Sequence, residues 1–397
     1  MEPVKVVKTV RFHYRPTSRT AELLRTFRAM LNDAIRICLE EGIRGGLKLR
    51  NRIYEEFRER HGVLSCYPYS VAEVAWSIVK KHRRWQRRPL ARRLMMKMDS
   101  YNYSLNHGIV SLPFKKGERL LVPLEYGDYQ RLFLMDAALK RGSVTMTEKL
   151  VCITFGKEVE VFPNLKRIGI DLNEKSLVES DGTKVDLSEV ARLHTEYGVR
   201  RRNFCAEHPD DTRLKKKFAG SRREKERIKQ LLHKVAKDVV TKAKKKREGI
   251  VLERLKGIRF KSTRGNGDGP DKRRRIALWP FRRLQGYIEY KAKWEGVPIE
   301  YVSAARTSQI CHVCGYLNRK LELTDREWQC PQCGCHLDRD LNAAVNIERR
   351  GKMPCLGEVR PGAQGTDEAM KGNPMTPVIL SAEALKSDAR LEHVQPS

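Results

Sequence analysis

Arg-Thr-Ser-Gln-Ile-Cys-His-Val-Cys-Gly at 306–315 and Cys-Pro-Gln-Cys-Gly-Cys-His-Leu-Asp-Arg-Asp-Leu-Asn-Ala-Ala-Val-Asn-Ile-Glu at 330–348 decide how the chain reads. Cys311, Cys314, Cys330 and Cys333 make a C-x2-C-x15-C-x2-C pattern, the spacing of a structural zinc site. Two turns each offer a pair of thiolates, and four sulfurs close a tetrahedron around one Zn2+. Each pair is followed by glycine, Gly315 and Gly334, which sets this pattern apart from four unrelated thiols. Cys335 and His336 adjoin the second pair and are bystanders to a complete set. Asp338-Arg339-Asp340 comes next and opens a helix-like run, Leu341 to Arg349. Acids are favoured at a helix start whatever their role, so these two carry no chemistry by themselves.

Outward from that stretch, the whole chain is basic. It has 397 residues, enough for two or three domains, and 80 Lys and Arg against 49 Asp and Glu give a formal charge of +31. Such an excess points to a polyanion, most simply a phosphate backbone, with a membrane surface as the rival. No signal-peptide pattern follows Met1, and no apolar run approaches a spanning helix, so no membrane role is expected. Ten cysteines in a chain this long are not a disulfide scaffold, and thiolate zinc suits a reducing interior. A soluble, cytoplasmic, nucleic-acid-binding protein is the expectation.

In chain order, residues 4–14 alternate and are β-branched, which predicts a strand. Pro16 ends it, and apolar residues from Leu23 to Cys38 recur at helical spacing up to Gly42. Further helical stretches cover 49–60 and 70–85, so 17–99 reads as a helical domain. Its end is dense in charge: Lys80, Lys81, Arg83, Arg84, Arg87 and Arg88 surround Trp85, a pattern fit for backbone contact with base stacking, or for a merely solvated face. Short strands return at 109–112, 120–122 and 150–155, and with 4–14 they can form one β-barrel interrupted by the helices. A second basic helical region, 188–247, ends in Lys244, Lys245, Lys246 and Arg247. Residues 259–277 read as a mobile basic loop, 279–295 as a helix and 299–302 as a strand. The tail, 355–397, holds four Lys or Arg and six Asp or Glu with several Pro and Gly, the composition of a disordered segment.

Three acids share a setting. Asp171 ends the apolar run Arg-Ile-Gly-Ile-Asp (167–171), Glu253 ends Gly-Ile-Val-Leu-Glu (249–253), and Asp340 opens the last helix. In an α/β sheet such strand ends converge on one edge. Three carboxylates there suit Mg2+ or Mn2+, and two such ions can flank a scissile phosphate. Glu179, Asp186, Glu226 and Asp238 look as good singly; placement after β-like runs distinguishes the three.

Arg-Ile-Gly-Ile-Asp-Leu-Asn (167–173), Gly-Ile-Val-Leu-Glu-Arg-Leu (249–255), Thr-Ser-Gln-Ile-Cys-His-Val-Cys-Gly (307–315) and Asp-Arg-Asp-Leu-Asn-Ala-Ala-Val-Asn-Ile (338–347) resemble the TnpB family of transposon-encoded proteins, relatives of compact type V CRISPR effectors. The resemblance is strong over 163–350, looser over 1–160 and absent from the tail. It implies a multi-domain α+β chain: a wedge-like β-barrel from 1–16 and 100–162, a helical recognition domain at 17–99, a RuvC-like, RNase H-like nuclease domain from 163–305 and 336–354, and a zinc ribbon inserted at 306–335.

Carried over by position, Asp171, Glu253 and Asp340 fall on the nuclease triad, and Cys311, Cys314, Cys330 and Cys333 on the zinc ligands. Asp340 is preferred to Asp338 because the family motif puts its acid just before x-Asn-Ala-Ala. The implied activity is RNA-guided cleavage of DNA next to a short motif, with structural Zn2+, two catalytic Mg2+ or Mn2+ ions, a guide RNA from the transposon end and target DNA as partners. The basic helices expected at 80–93 and 191–247 are candidates for the nucleic-acid channel. A monomer in a prokaryotic, nucleoid-associated setting is expected. A compact CRISPR effector, or a non-cleaving RNA-guided or zinc-ribbon DNA-binding repressor, is the alternative.

Overall fold

The computed structural model describes residues 3–82, 86–162, 166–219, 222–255, 279–322 and 325–352. The expected loop at 259–277 and tail at 355–397 lie outside the described residues, as do Arg83, Arg84 and Trp85. The described residues divide into two compact units, one of Lys5–Glu158 and one of Val159–Lys352 with the few residues before Lys5.

The first unit begins with β1 (Val4–Tyr14), which buries alternate residues Val10, Phe12 and Tyr14. Thr17 then caps α1 (Ser18–Glu40): its hydroxyl accepts from the Thr20 N–H, and the Thr20 hydroxyl accepts from the Thr17 N–H. Leu23, Leu24, Phe27, Met30, Leu31, Ala34, Ile35 and Cys38 form the buried stripe that the spacing predicts. α2 (Gly46–His61) and α3 (Cys66–Val79) pack with α1.

The strands β2 (Met95–Met98), β3 (Ser104–Asn106), β4 (Ile109–Pro113), β5 (Arg119–Glu125), β6 (Lys140–Thr147) and β7 (Leu150–Val159) join β1 in a seven-stranded sheet ordered β2-β6-β7-β1-β5-β4-β3, with α4 (Asp128–Met135) between β5 and β6. The pairing has two ends, β2 and β3, and β1 lies at its centre.

Two expectations are corrected here. The basic stretch at 80–93 is not helical in its described part: α3 stops at Val79, and 86–94 run without regular structure. Neighbouring like charges repel along a helix, and Pro89 disfavours the helical conformation at Arg88. Met95-Met96-Lys97-Met98, read as part of the helical domain, is a strand. Its residues are good helix formers, but pairing with β6 and full burial of Met96 and Met98 override that preference.

The second unit is built on five strands: β8 (Lys166–Leu172), β9 (Ser176–Glu179), β10 (Lys184–Asp186), β11 (Glu248–Glu253) and β12 (Ile299–Val302), in the order β10-β9-β8-β11-β12. β9 runs antiparallel to both β8 and β10, and β11 runs parallel to both β8 and β12. The Asp181-Gly182 signal is a tight turn, with Gly182 at φ 87.

The basic region 188–247 is three helices, α5 (Ser188–Glu207), α6 (Thr212–Ala219) and α7 (Arg222–Lys246). With α8 (Phe281–Glu295), α5 and α7 cover one sheet face through Ile168, Ile170, Ile250, Leu252, Leu193, Leu232, Leu284 and Ile288. The last helix, α9 (Arg339–Arg350), packs on β8. There Val251, Val302 and Ile347 cluster, and a Cβ on Gly169 would overlap the Ala344 carbonyl oxygen.

Candidate metal centres

Strand alternation puts Gly169 and Asp171 on the sheet face that meets α9, opposite to Ile168 and Ile170. The register Gly169↔Val251 and Ile170↔Leu252 carries Val251 and Glu253 to the same face of the neighbouring parallel strand. Asp340 sits in the first turn of α9. The sequence-distant acids Asp171, Glu253 and Asp340 are therefore gathered at one edge, and each is buried, with 7%, 8% and 7% of its surface exposed. Asp338, the rival acid, caps α9 instead: its carboxylate accepts from the Leu341 N–H at 2.8 Å.

Burial pushes the Asp171 carboxyl up to about 8, and the charge of Glu253 adds to it. The Asn173 side chain, which donates to Asp171 at 2.7 Å, pulls the other way, and Asp340 raises it further. Glu253 is also raised, by burial, against a hydrogen bond from Thr307. Asp171 and Glu253, buried at one edge, favour proton uptake or a cation, since their charged forms are otherwise left poorly solvated. Arg326 lies beside Asp340, with Nη1 3.6 Å from Oδ2.

The four ribbon cysteines make the tighter cluster. Among the described residues, they are the group of three or more ligand atoms that all lie within 4.8 Å of one another; the three carboxylates are not so closely gathered. The Cys311–Cys333 and Cys314–Cys330 sulfur pairs are 3.7 and 3.5 Å apart. A tetrahedral zinc with Zn–S near 2.3 Å requires sulfurs about 3.8 Å apart, so the set fits the ion.

Each thiolate pair is folded by the same turn. The Gly315 N–H donates to the Cys311 carbonyl and the Gly334 N–H to the Cys330 carbonyl, both at 2.9 Å. Both glycines take positive φ, 80 and 70, which is why glycine follows each pair. The short hairpin β13 (Glu327–Gln329) and β14 (His336–Asp338) buries Trp328 and Leu337 behind the sulfurs. Cys335 lies 2.8 Å from Cys333 by sulfur distance, and His336 is exposed.

The basic candidates are spread out. Lys80, Lys81, Arg87 and Arg88 are exposed, and Arg88 pairs with Glu40 at 3.1 Å. Asn32 fixes Ala91 through its N–H and its carbonyl, at 2.7 and 3.2 Å. At the end of α7, Lys244 pairs with Glu295 and Lys246 with Asp181, while Lys245 and Arg247 are exposed.

Sequence reasoning missed Asn173, Gln285 and Thr307, which hydrogen-bond to Asp171 or Glu253, and Asn342 and Asn346, which bind the backbone of the segment that carries Thr307. The Gln285 side chain donates to the Glu253 carbonyl at 2.7 Å. The only signal in the sequence is that Asn342 and Asn346 repeat at one helical turn within the Asp-Leu-Asn-Ala-Ala-Val-Asn motif.

Among known proteins, a family model for the TNB domain of Cas12f1-like proteins matches residues 281–347, from α8 to α9. The solved structure of a Cas12f1 in complex with sgRNA and target DNA matches at a TM-score of 0.55 with 15% identity, over 84% of this chain and 83% of that one, a likeness of fold. The mixed α+β architecture with its four-cysteine cluster is thus of the Cas12f kind. A CRISPR-associated endodeoxyribonuclease Cas12f2 from a Micrarchaeota archaeon is 34% identical over 125 residues, 30% of this chain and 23% of its own length. A TnpB-like protein of Methanocaldococcus jannaschii is 32% identical over 251 residues, 59% of this chain and 87% of the relative. On that coverage the chain belongs to the TnpB-like proteins.

Proposed function

We propose that this chain is an RNA-guided DNA endonuclease that cuts target DNA beside a short element-specific motif. Asp171, Glu253 and Asp340 would hold two Mg2+ or Mn2+ ions. Bound there, the ions would supply an activated water and charge stabilisation for the leaving 3′ oxygen. The observation that carries this reading is the placement of three buried carboxylates at one sheet edge, on two parallel strand ends and the helix that covers them. The cap made by Asp338 supports Asp340 as the third ligand.

The chain's own part is to hold those carboxylates apart from bulk water and to fix the substrate. The strand order β10-β9-β8-β11-β12, with three antiparallel strands followed by two parallel ones, supports an RNase H-like, RuvC-type domain over 163–305 and 336–354. In the ribbon at 306–335, Cys311, Cys314, Cys330 and Cys333 would hold zinc with four thiolates and leave no open position, so the ion would serve folding. The seven-stranded sheet, β2 at 95–98 included, supports a wedge from 1–16 and 95–162, and α1–α3 support a helical recognition domain between those two parts. Its basic surface would grip an RNA–DNA heteroduplex by backbone and shape while base pairing reads the sequence.

Sequencing the RNA that co-purifies with the protein from its own locus tests the guided part. A single structured RNA whose end matches DNA beyond an element's edge is expected. Heterogeneous RNA or none would contradict it, and an RNA carrying repeat-array sequence would favour a compact CRISPR effector.

A further inference from the structure

Thr307 lies on the segment that leads from β12 into the ribbon, four residues before Cys311. It is buried, with 5% exposure, and its hydroxyl donates to Glu253 Oε1 at 2.7 Å. The same segment is gripped from α9. The Asn342 side-chain oxygen accepts the His312 N–H at 2.9 Å, and its amide donates to the Ile310 carbonyl at 2.8 Å. One turn on, the Asn346 amide donates to the carbonyls of Thr307 and Ile310 at 2.9 and 2.6 Å. Both asparagines are buried, and α9 also carries Asp340.

A valine would fill the space of Thr307 as well. What the threonine adds is a donor aimed at one oxygen of one buried carboxylate, and the two asparagines add a fixed path for the backbone that carries it. A hydrogen bond of this kind sets which carboxylate oxygen faces a cation and at what angle. Glu253 is thus held at both ends, its carbonyl by Gln285 and its side chain by Thr307.

We propose that Thr307 is a positioning residue that orients the Glu253 carboxylate for divalent cations, and that Asn342 and Asn346 lock its segment to the helix bearing Asp340. This rests on the reading of the three acids as a metal site. The test measures Mn2+ binding to full-length protein by the loss of the free-ion paramagnetic signal, without nucleic acid, together with zinc content.

Thr307→Val is expected to weaken Mn2+ binding by about 10-fold or more with zinc content unchanged. Thr307→Ser, which keeps the hydroxyl, is expected to bind Mn2+ as the parent does. Equal affinity in Thr307→Val, or a loss in Thr307→Ser as large as in Thr307→Val, overturns the positioning role. Parent protein whose Mn2+ binding is untouched by Asp171→Ala overturns the metal site itself, and the positioning role with it.

Discussion

At the scale of a residue, Asp171 carries a pH signature. Its folded-state carboxyl is raised to about 8, chiefly by burial, whereas an unfolded aspartate titrates near about 3.9. Between those values the folded chain holds a proton that the unfolded chain has released. Without divalent ions, Asp171 therefore lowers stability progressively as pH rises from about 4 to about 8. Asp171→Asn removes that penalty while keeping an oxygen for Asn173. Thermal unfolding in buffer free of Mg2+ and Mn2+, with zinc retained, should show the variant more stable than the parent at pH 8, with the gain fading toward pH 5. Added Mg2+ should stabilise the parent and leave the variant unmoved. No gain at pH 8 would mean that the carboxylate is not held protonated. The strand-end position of Asp171 was legible in Ile-Gly-Ile-Asp, because a short apolar run closed by an acid marks a buried strand that stops at a polar edge. The asparagines and Thr307 were not. A buried amide reads as an ordinary polar residue until the backbone it satisfies is known.

At the scale of elements, β8 and α9 meet at Gly169. A methyl there would overlap the Ala344 carbonyl, the Glu348 N–H and the Glu348 side chain, two of them rigid backbone groups. Gly169→Ala should cost about 1–3 kcal/mol of stability by overpacking and should move Asp340 away from Asp171, so both the unfolding midpoint and the cleavage rate should fall. An unchanged rate would place the acids' alignment elsewhere. The ribbon makes a separate prediction. Cys330 is one of four mutually close sulfurs, and its carbonyl accepts the Gly334 N–H that closes the second turn. Cys330→Ser should release zinc and open the segment 307–337 to limited proteolysis, with retained protection arguing against a folding role. The cysteine pairs and their glycines were readable because the spacing and the positive φ leave little choice. β2 and the basic stretch after α3 were not readable, since a paired strand and a proline-limited loop overrode local helix preference.

At the scale of the molecule, +31 charges demand counterions or a polyanion. Composition alone made this readable, although it could not say which lysines face the partner. Lys244, Lys246 and Arg88 turn out to hold ion pairs within the protein. If the basic surface tracks a nucleic-acid backbone, RNA affinity should drop about a thousandfold or more between 50 and 200 mM salt, read from binding isotherms. A flat salt response would deny phosphate contact as the main source of affinity. No described helix is long and apolar enough to cross a membrane.

The most direct test of the central claim is cleavage of a matched DNA by the RNA-loaded protein in Mg2+, run beside Asp171→Ala with binding measured on the same samples. Cutting by the parent, with the variant binding the target equally and leaving it intact, is the predicted result. Equal cutting by both would remove Asp171 from the chemistry, and tight binding with no cutting by the parent in Mg2+ or Mn2+ would make the chain a guided binder rather than a nuclease.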